Sequence, residues 1–206
     1  MLKKWADEHQ GLIPDDWFEK FKLISNKTSE HEVRYDAEHA RAVKRTWPGH
    51  YGQVPFLSGG LVDRRMATPI EYLERLALQN TVFADDFHVE GVTISQKPSI
   101  ILFEPAGQPS LVISQQWVTA ADAEHPTPSS VEIAEYLRSR GFEPAPKSYF
   151  GWFRRADGVL IVDAKPDNFL KTQEGIVPID LQMSSVAPDA LNVISAEDLP
   201  SLIVSQ

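Results

Sequence analysis

The chain has no cysteine, so it can form neither a disulfide framework nor a thiolate metal site, and its chemistry must come from carboxylates, amides or histidines. It also lacks any uncharged run of about 18 apolar residues, the length a membrane-spanning helix needs. Lys3 and Lys4 are followed by Ala6, Asp7, Glu8, His9 and Gln10, where a secretion signal would carry its apolar stretch. The expected setting is cytoplasmic, with no membrane partner. Positive charge is scarce, with 20 Lys+Arg against 29 Asp+Glu and a net charge of −9; this argues against a broad nucleic-acid or anionic-membrane footprint. The six histidines, His9, His31, His39, His50, His88 and His125, show no metal-ligand spacing. No G-x-S-x-G elbow and no G-x-x-x-x-G-K-[ST] loop occurs.

What is present describes a folded chain. Its 206 residues are 42% hydrophobic, 10% aromatic and 24% charged, close to the averages for globular proteins, so a buried core is expected. The length suits one domain, or two small lobes within it. Trp17, Phe18, Phe21 and Ile24 fall at helical spacing over residues 15–24 after Pro14-Asp15, which predicts a short amphipathic helix. Alternating segments at 32–35 and 40–46 predict a β-hairpin with Lys44 on its second strand. The glycines and prolines of 47–67 predict a long loop, possible short pieces aside. Thr68-Pro69-Ile70-Glu71 combines an N-cap, a first-turn proline and a capping-box glutamate, which predicts a helix over 69–80.

Further strands are expected at 89–95, 99–104 and 111–118, followed by a polar hinge at 119–128. A second helix should open at Thr127-Pro128, place Val131, Ile133, Ala134 and Leu137 on one side, and stop at Gly141. Short strands at 159–162, 169–171 and 176–179 are separated by the turn signals Asp157-Gly158 and Glu174-Gly175.

The last of these segments, VLIVDAKPDNFLKTQEGIVPIDLQM at 159–183, carries the chemistry. An apolar strand ends in Asp163; Lys165-Pro166 and Asn168 follow; a short hairpin then returns the chain to Asp180. Phosphoryl transfer needs one carboxylate to receive the acceptor proton, and an amide with a second carboxylate to hold Mg²⁺ against the phosphates. Asp163, Asn168 and Asp180 offer those groups in that order. D-A-K-P-D-N resembles the D-x-K-P-x-N segment of protein kinases, where a two-stranded hairpin also leads to the metal-binding aspartate. Upstream, Lys44 in Arg41-Ala42-Val43-Lys44 fits a strand lysine on phosphates, and an edge lysine that discourages strand pairing is the other reading. Glu71 and Glu74 are the two candidates for the helix glutamate that would hold Lys44, with Glu74 preferred because Glu71 is engaged by its cap.

The runs TPIEYLERLALQNTVFADD, ISQQWV, EIAEYLRSRGF and VDAKPDNFLKTQEGIVPIDL, together with EHEVRY and AVK, resemble the kinase-like domain of polyvalent proteins, a family associated with phages and conjugative mobile elements. The similarity extends from about Glu30 to about Met183. It implies an α+β, protein-kinase-like two-lobed fold spanning residues 1–206, with a β-rich N-lobe at about 1–118 and a reduced C-lobe at about 119–206.

By the same resemblance, ATP and Mg²⁺ would be bound, with Lys44 on the phosphates and Ser114 to Val118, including Gln115, Gln116 and Trp117, as the hinge facing adenine. Asp163 would be the catalytic base, Lys165 would stabilise phosphate charge, and Asn168 and Asp180 would be the metal ligands. The implied activity is phosphoryl transfer to an unidentified hydroxyl acceptor, protein or small molecule. A pseudokinase, or nucleotide-binding interaction module, is the alternative. Three departures from ordinary protein kinases accompany the resemblance. Ile161-Val162 stand before the catalytic aspartate in place of His-Arg, Leu181-Gln182 stand in place of Phe-Gly, and no glycine occurs between Ser25 and His31.

Overall fold

A computed structural model describes residues 2–26, 30–94, 106–148 and 150–194. In chain order the elements are α1 (Leu2–Glu8), α2 (Asp15–Glu19), β1 (Lys22–Ser25), β2 (His31–Asp36), β3 (Arg41–Thr46), β4 (Gln53–Ser58), β5 (Leu61–Met66), α3 (Pro69–Phe83), β6 (His88–Ile94), β7 (Pro109–Gln116), α4 (Ser130–Ser139), β8 (Glu143–Pro144), β9 (Trp152–Arg154), β10 (Val159–Val162), β11 (Phe169–Thr172), β12 (Gly175–Pro178) and β13 (Gln182–Ser185). Short 3₁₀ turns occupy Pro166–Asn168 and Pro188–Val193. The protein is a mixed α+β structure built on antiparallel sheets. The strand expected at 99–104 lies outside the described residues. Among those residues no helix is long and apolar enough to cross a membrane.

The chain divides into two compact units: Met1–Gly52 with Met66–Trp117, and Gln53–Arg65 with Val118–Gln206. The first is built on a five-stranded sheet in the order β1-β2-β3-β7-β6. The helix expected over 15–24 ends at Glu19, because Lys22–Ser25 pairs with β2 as the edge strand β1. Strand alternation sends Val43 and Val112 to one face, where they pack on Phe18 of α2. Leu111 and Ile113 go to the other face, against Tyr72 and Leu76 of α3. The capping box of α3 is complete: Thr68 N–H donates to Glu71 Oε2 at 2.9 Å, and Glu71 N–H donates to Thr68 Oγ1 at 3.3 Å. Such a cap contributes about 1 kcal/mol. The helix runs to Phe83, past the expected end at 80, before Ala84 turns left-handed.

The second unit centres on a sheet in the order β13-β10-β9-β8, with two separate hairpins, β11-β12 and β4-β5. All four residues of β10 are buried; a short continuous apolar run of this kind marks a strand covered on both sides. Here the structure corrects the loop expected at 47–67. Gly59 and Gly60, both at positive φ (55° and 81°), form the two-residue turn that hairpins favour, and β5 buries Val62 in the core of the second unit with Phe153, Leu160 and Val162. Ser184 on β13 donates to the Pro55 carbonyl at 2.6 Å, which fixes β4 to the sheet.

Helix α4 starts after Ser129, two residues later than Thr127-Pro128 suggests, because Ser129 and Glu132 form a reciprocal capping box. Ile133, Ala134 and Leu137 are buried as expected, but Val131 lies off that stripe and is 57% exposed. The helix stops at Gly141, whose N–H donates to the Arg138 carbonyl at 2.9 Å, while Phe142 N–H donates to that of Leu137 at 3.1 Å; this is a Schellman closure.

The Glu132 carboxylate accepts from the Ser129 backbone and from Lys171 Nζ at 2.9 Å, and these bonds hold its pKa down to about 2 from the usual 4.5. A depressed carboxylate pKa stabilises the fold above the unfolded value and loses that contribution as pH falls through the folded one. Glu132→Gln is therefore expected to melt below wild type at pH 6, with the gap closing between about pH 4.5 and pH 2. A gap that stays constant across thermal melts over that range would show that the carboxylate charge is not what stabilises this cap.

Candidate functional site

Strand β10 ends with Val162 paired to Gln182, the first residue of β13. The chain therefore leaves β10 at Asp163 on the same end of the pair at which it arrives from Asp180 and the fully buried Leu181. The β11-β12 hairpin spans the interval between them, in register from Phe169↔Pro178 to Thr172↔Gly175.

Asp163 has a φ of 60°, a left-handed conformation that aspartate tolerates because its short side chain can bond locally. Its carbonyl accepts from Lys165 N–H at 2.8 Å and from Asn168 Nδ2 at 2.6 Å. Its carboxylate accepts a second bond from Asn168 Nδ2, at 2.9 Å, and lies 3.2 Å from Lys165 Nζ. Pro166 opens the 3₁₀ turn that carries Asn168 inward to 8% exposure. Because Asn168 donates through Nδ2, its Oδ1 remains as the acceptor. Ile179 N–H donates to the Asn168 carbonyl at 2.9 Å, so Asp180 follows directly on a residue tied to Asn168. Asp163, Lys165 and Asn168 thus form one bonded cluster, and Asp180 sits at the same end of the β10/β13 pair.

A cavity of about 310 Å³ opens beside this cluster, with Val162 and Asp163 in its wall. Its other polar lining comes from Asp63 and Arg64 on β5 and from Lys147 and Ser148 in the turn before β9. None of these four is legible from sequence spacing, because the glycines and prolines of 47–67 predict a loop where β5 lies and the turn at 147–148 is far from it along the chain.

The sequence-named residues of the first unit behave differently. Lys44 lies mid-strand on β3, opposite Val33 on β2 and Ile113 on β7, and is 7% exposed. It shares the face of Ile113, the one α3 covers, and its ammonium lies 5.3 Å from the centroid of the Phe87 ring. Lys44 is therefore not a solvated edge lysine. Glu71 is engaged in its cap. Glu74, the preferred partner of Lys44, is on the exposed side of α3 and makes no ion pair among the described residues. The buried stripe of the helix is Tyr72, Arg75, Leu76 and Gln79, so the charged group it turns inward is Arg75, 2.8 Å from Glu30 Oε2.

The residues read as an adenine-facing hinge are also occupied within their own unit. Gln115 is 2% exposed and donates through Nε2 to Asp85 at 2.8 Å. Gln116 N–H donates to Asp86 at 2.7 Å, and Trp117 N–H donates to the Ala40 carbonyl at 2.9 Å. The Trp117 ring packs on Tyr35 at 4.7 Å between centroids. The Asp85-Asp86 pair after α3 thus takes the Gln115 side-chain and Gln116 backbone donors of the segment expected to face adenine.

Comparison of the chain with protein-family models, with curated proteins and with solved structures returned no match.

Proposed function

We propose that this chain is a phosphotransferase of the protein-kinase-like fold, which transfers the γ-phosphoryl group of ATP to a hydroxyl acceptor in the presence of Mg²⁺. One observation carries the reading: the bonded Asp163-Lys165-Asn168 turn at the end of β10, with β11, β12 and β13 returning Asp180 to the same end. The donor set suits Mg²⁺, since Asn168 Oδ1 and the Asp180 carboxylate are the hard oxygen ligands that this ion takes. When bound, Mg²⁺ would neutralise phosphate charge. In this reading Asp163 receives the acceptor proton, Asn168 fixes the Asp163 carboxylate through Nδ2, and Lys165 holds charge beside it. Lys44 is assigned to the α- and β-phosphates by the resemblance alone.

The engaged N–H groups of Gln116 and Trp117 and the exposed Glu74 favour a second reading, a pseudokinase that serves as an interaction module without turnover. ATP consumption in the presence of hydroxyl acceptors separates the two.

ATP with Mg²⁺ is expected to raise the melting temperature of the wild type, since a ligand at about 100 times its Kd stabilises by about 2.7 kcal/mol. Asp180→Ala should lose most of that shift. Calorimetry that detects no binding at millimolar ATP and Mg²⁺, or that finds Asp180→Ala binding as well as wild type, would overturn the metal assignment.

A further inference from the structure

The cavity beside Asp163 is lined by two carboxylates and two cations, a formally neutral wall in a chain rich in acids. In a protein of net charge −9, its wall carries two cations from separate segments, Arg64 of β5 and Lys147 of the turn before β9. Both residues are exposed, and among the described residues neither the Arg64 guanidinium nor the Lys147 ammonium has an acidic partner. Asp63, the neighbouring acid in the wall, accepts the backbone N–H of Arg64 at 2.7 Å. The Asp163 carboxylate is already neutralised by Lys165. Lys147 also holds a left-handed φ of 54°, a conformation disfavoured for a long side chain, of the kind that persists where surrounding structure imposes it.

A guanidinium fork and an ammonium point charge together suit a dianion with several acceptor oxygens better than a single carboxylate. The volume of about 310 Å³ lies at the small end of the ~300–1,000 Å³ usual for ligand sites. It is large enough to admit a small molecule.

We infer that the cavity is the acceptor subsite, and that the acceptor is a small polyhydroxyl compound already bearing a phosphate monoester. Arg64 and Lys147 hold its phosphate, and this orients a free hydroxyl towards Asp163. The inference rests on the phosphotransferase reading above and adds the substrate class. In the transfer step, Asp163 takes the hydroxyl proton as the acceptor oxygen bonds to the γ-phosphorus. The bond from that phosphorus to the β–γ bridging oxygen breaks, and ADP leaves with its electron pair. The product is a bisphosphorylated compound.

The test separates this subsite from the nucleotide site. Ribose 5-phosphate and ribose are titrated without nucleotide into wild type, Arg64→Ala, Lys147→Ala and the double variant, and the ATP-dependent melting shift is measured on each protein. Ribose 5-phosphate is expected to bind wild type at least tenfold more tightly than ribose. The double variant should lose about 10–100-fold of that affinity, as removal of charge-assisted bonds does, while keeping the wild-type ATP shift. Both residues are exposed, so the variants should fold. Equal binding of the two sugars, or a double variant that binds ribose 5-phosphate like wild type, would overturn the subsite even with the ATP shift intact. Loss of the ATP shift in wild type would instead defeat the underlying phosphotransferase reading.

Discussion

Asp163→Asn is expected to reduce phosphoryl transfer by about 10²–10⁴-fold, the usual cost of losing a general base, or roughly 3–5 kcal/mol of barrier at ~1.4 kcal/mol per decade. The ATP-dependent melting shift should survive, because the base acts on the acceptor hydroxyl. Asparagine is the clean probe for a structural reason. At φ 60° it is, with aspartate, among the few residues other than glycine that tolerate the left-handed region, and its Oδ1 can still accept from Asn168 Nδ2 as the carboxylate does at 2.9 Å. Asp163→Ala would mix loss of the base with loss of that local bond. The assay is transfer from radiolabelled ATP to supplied acceptors; equal labelling by wild type and Asp163→Asn would remove Asp163 from the mechanism.

The parts of the structure that were legible in the sequence are those whose signal is local. Thr68-x-x-Glu71 has its capping box in place. The strand, turn and hairpin of 159–178 fall at the expected positions because an apolar tetrapeptide, Pro166 and two Gly-bearing turns specify them within a few residues. The Asp163-Lys165-Asn168 cluster was accessible for the same reason, since all its bonds close within five residues.

What was missed depends on distant partners or on helix phase. Gly59-Gly60 reads locally as a breaker pair but forms a hairpin turn, and only packing of Val62 against Leu160 and Phe153, some hundred residues away in sequence, decides in favour of a strand. The stripe Tyr72-Leu76-Gln79 fixes the rotation of α3 and puts Glu74 outside. A buried Arg75 gives no apolar signal, and its acceptor Glu30 comes from a segment 45 residues earlier. Burying that pair is tolerable only because each charge has its partner.

Gly158→Ala should be strongly destabilising although the residue lies at the opposite end of β10 from Asp163. Gly158 closes the turn between β9 and β10, where its N–H donates to the Arg154 carbonyl at 3.0 Å and Arg154 grips Asp157 through two bonds of 2.9 and 2.6 Å. Those Arg154 bonds also hold the Asp157 carboxyl below its usual range. On its other side Gly158 accepts from Val186 N–H at 2.9 Å, where the chain leaves β13. A Cβ at this position would overlap the Val186 carbonyl oxygen, and the φ of 73° is strained for any L side chain. Left-handed strain and overpacking together cost about 2–6 kcal/mol, which for a chain of this length lowers the melting temperature by roughly 5–20 °C. Gly175→Ala is the control: its φ of 129° is also strained, but nothing lies within 4 Å of the added carbon, so only the strain of about 1–3 kcal/mol applies. The difference between the two variants measures the close approach of β10 and β13, the pairing that brings Asp163 and Asp180 to one end. If Gly158→Ala melts within a degree of Gly175→Ala, that approach is looser than described, and the shared position of the two aspartates loses its structural basis.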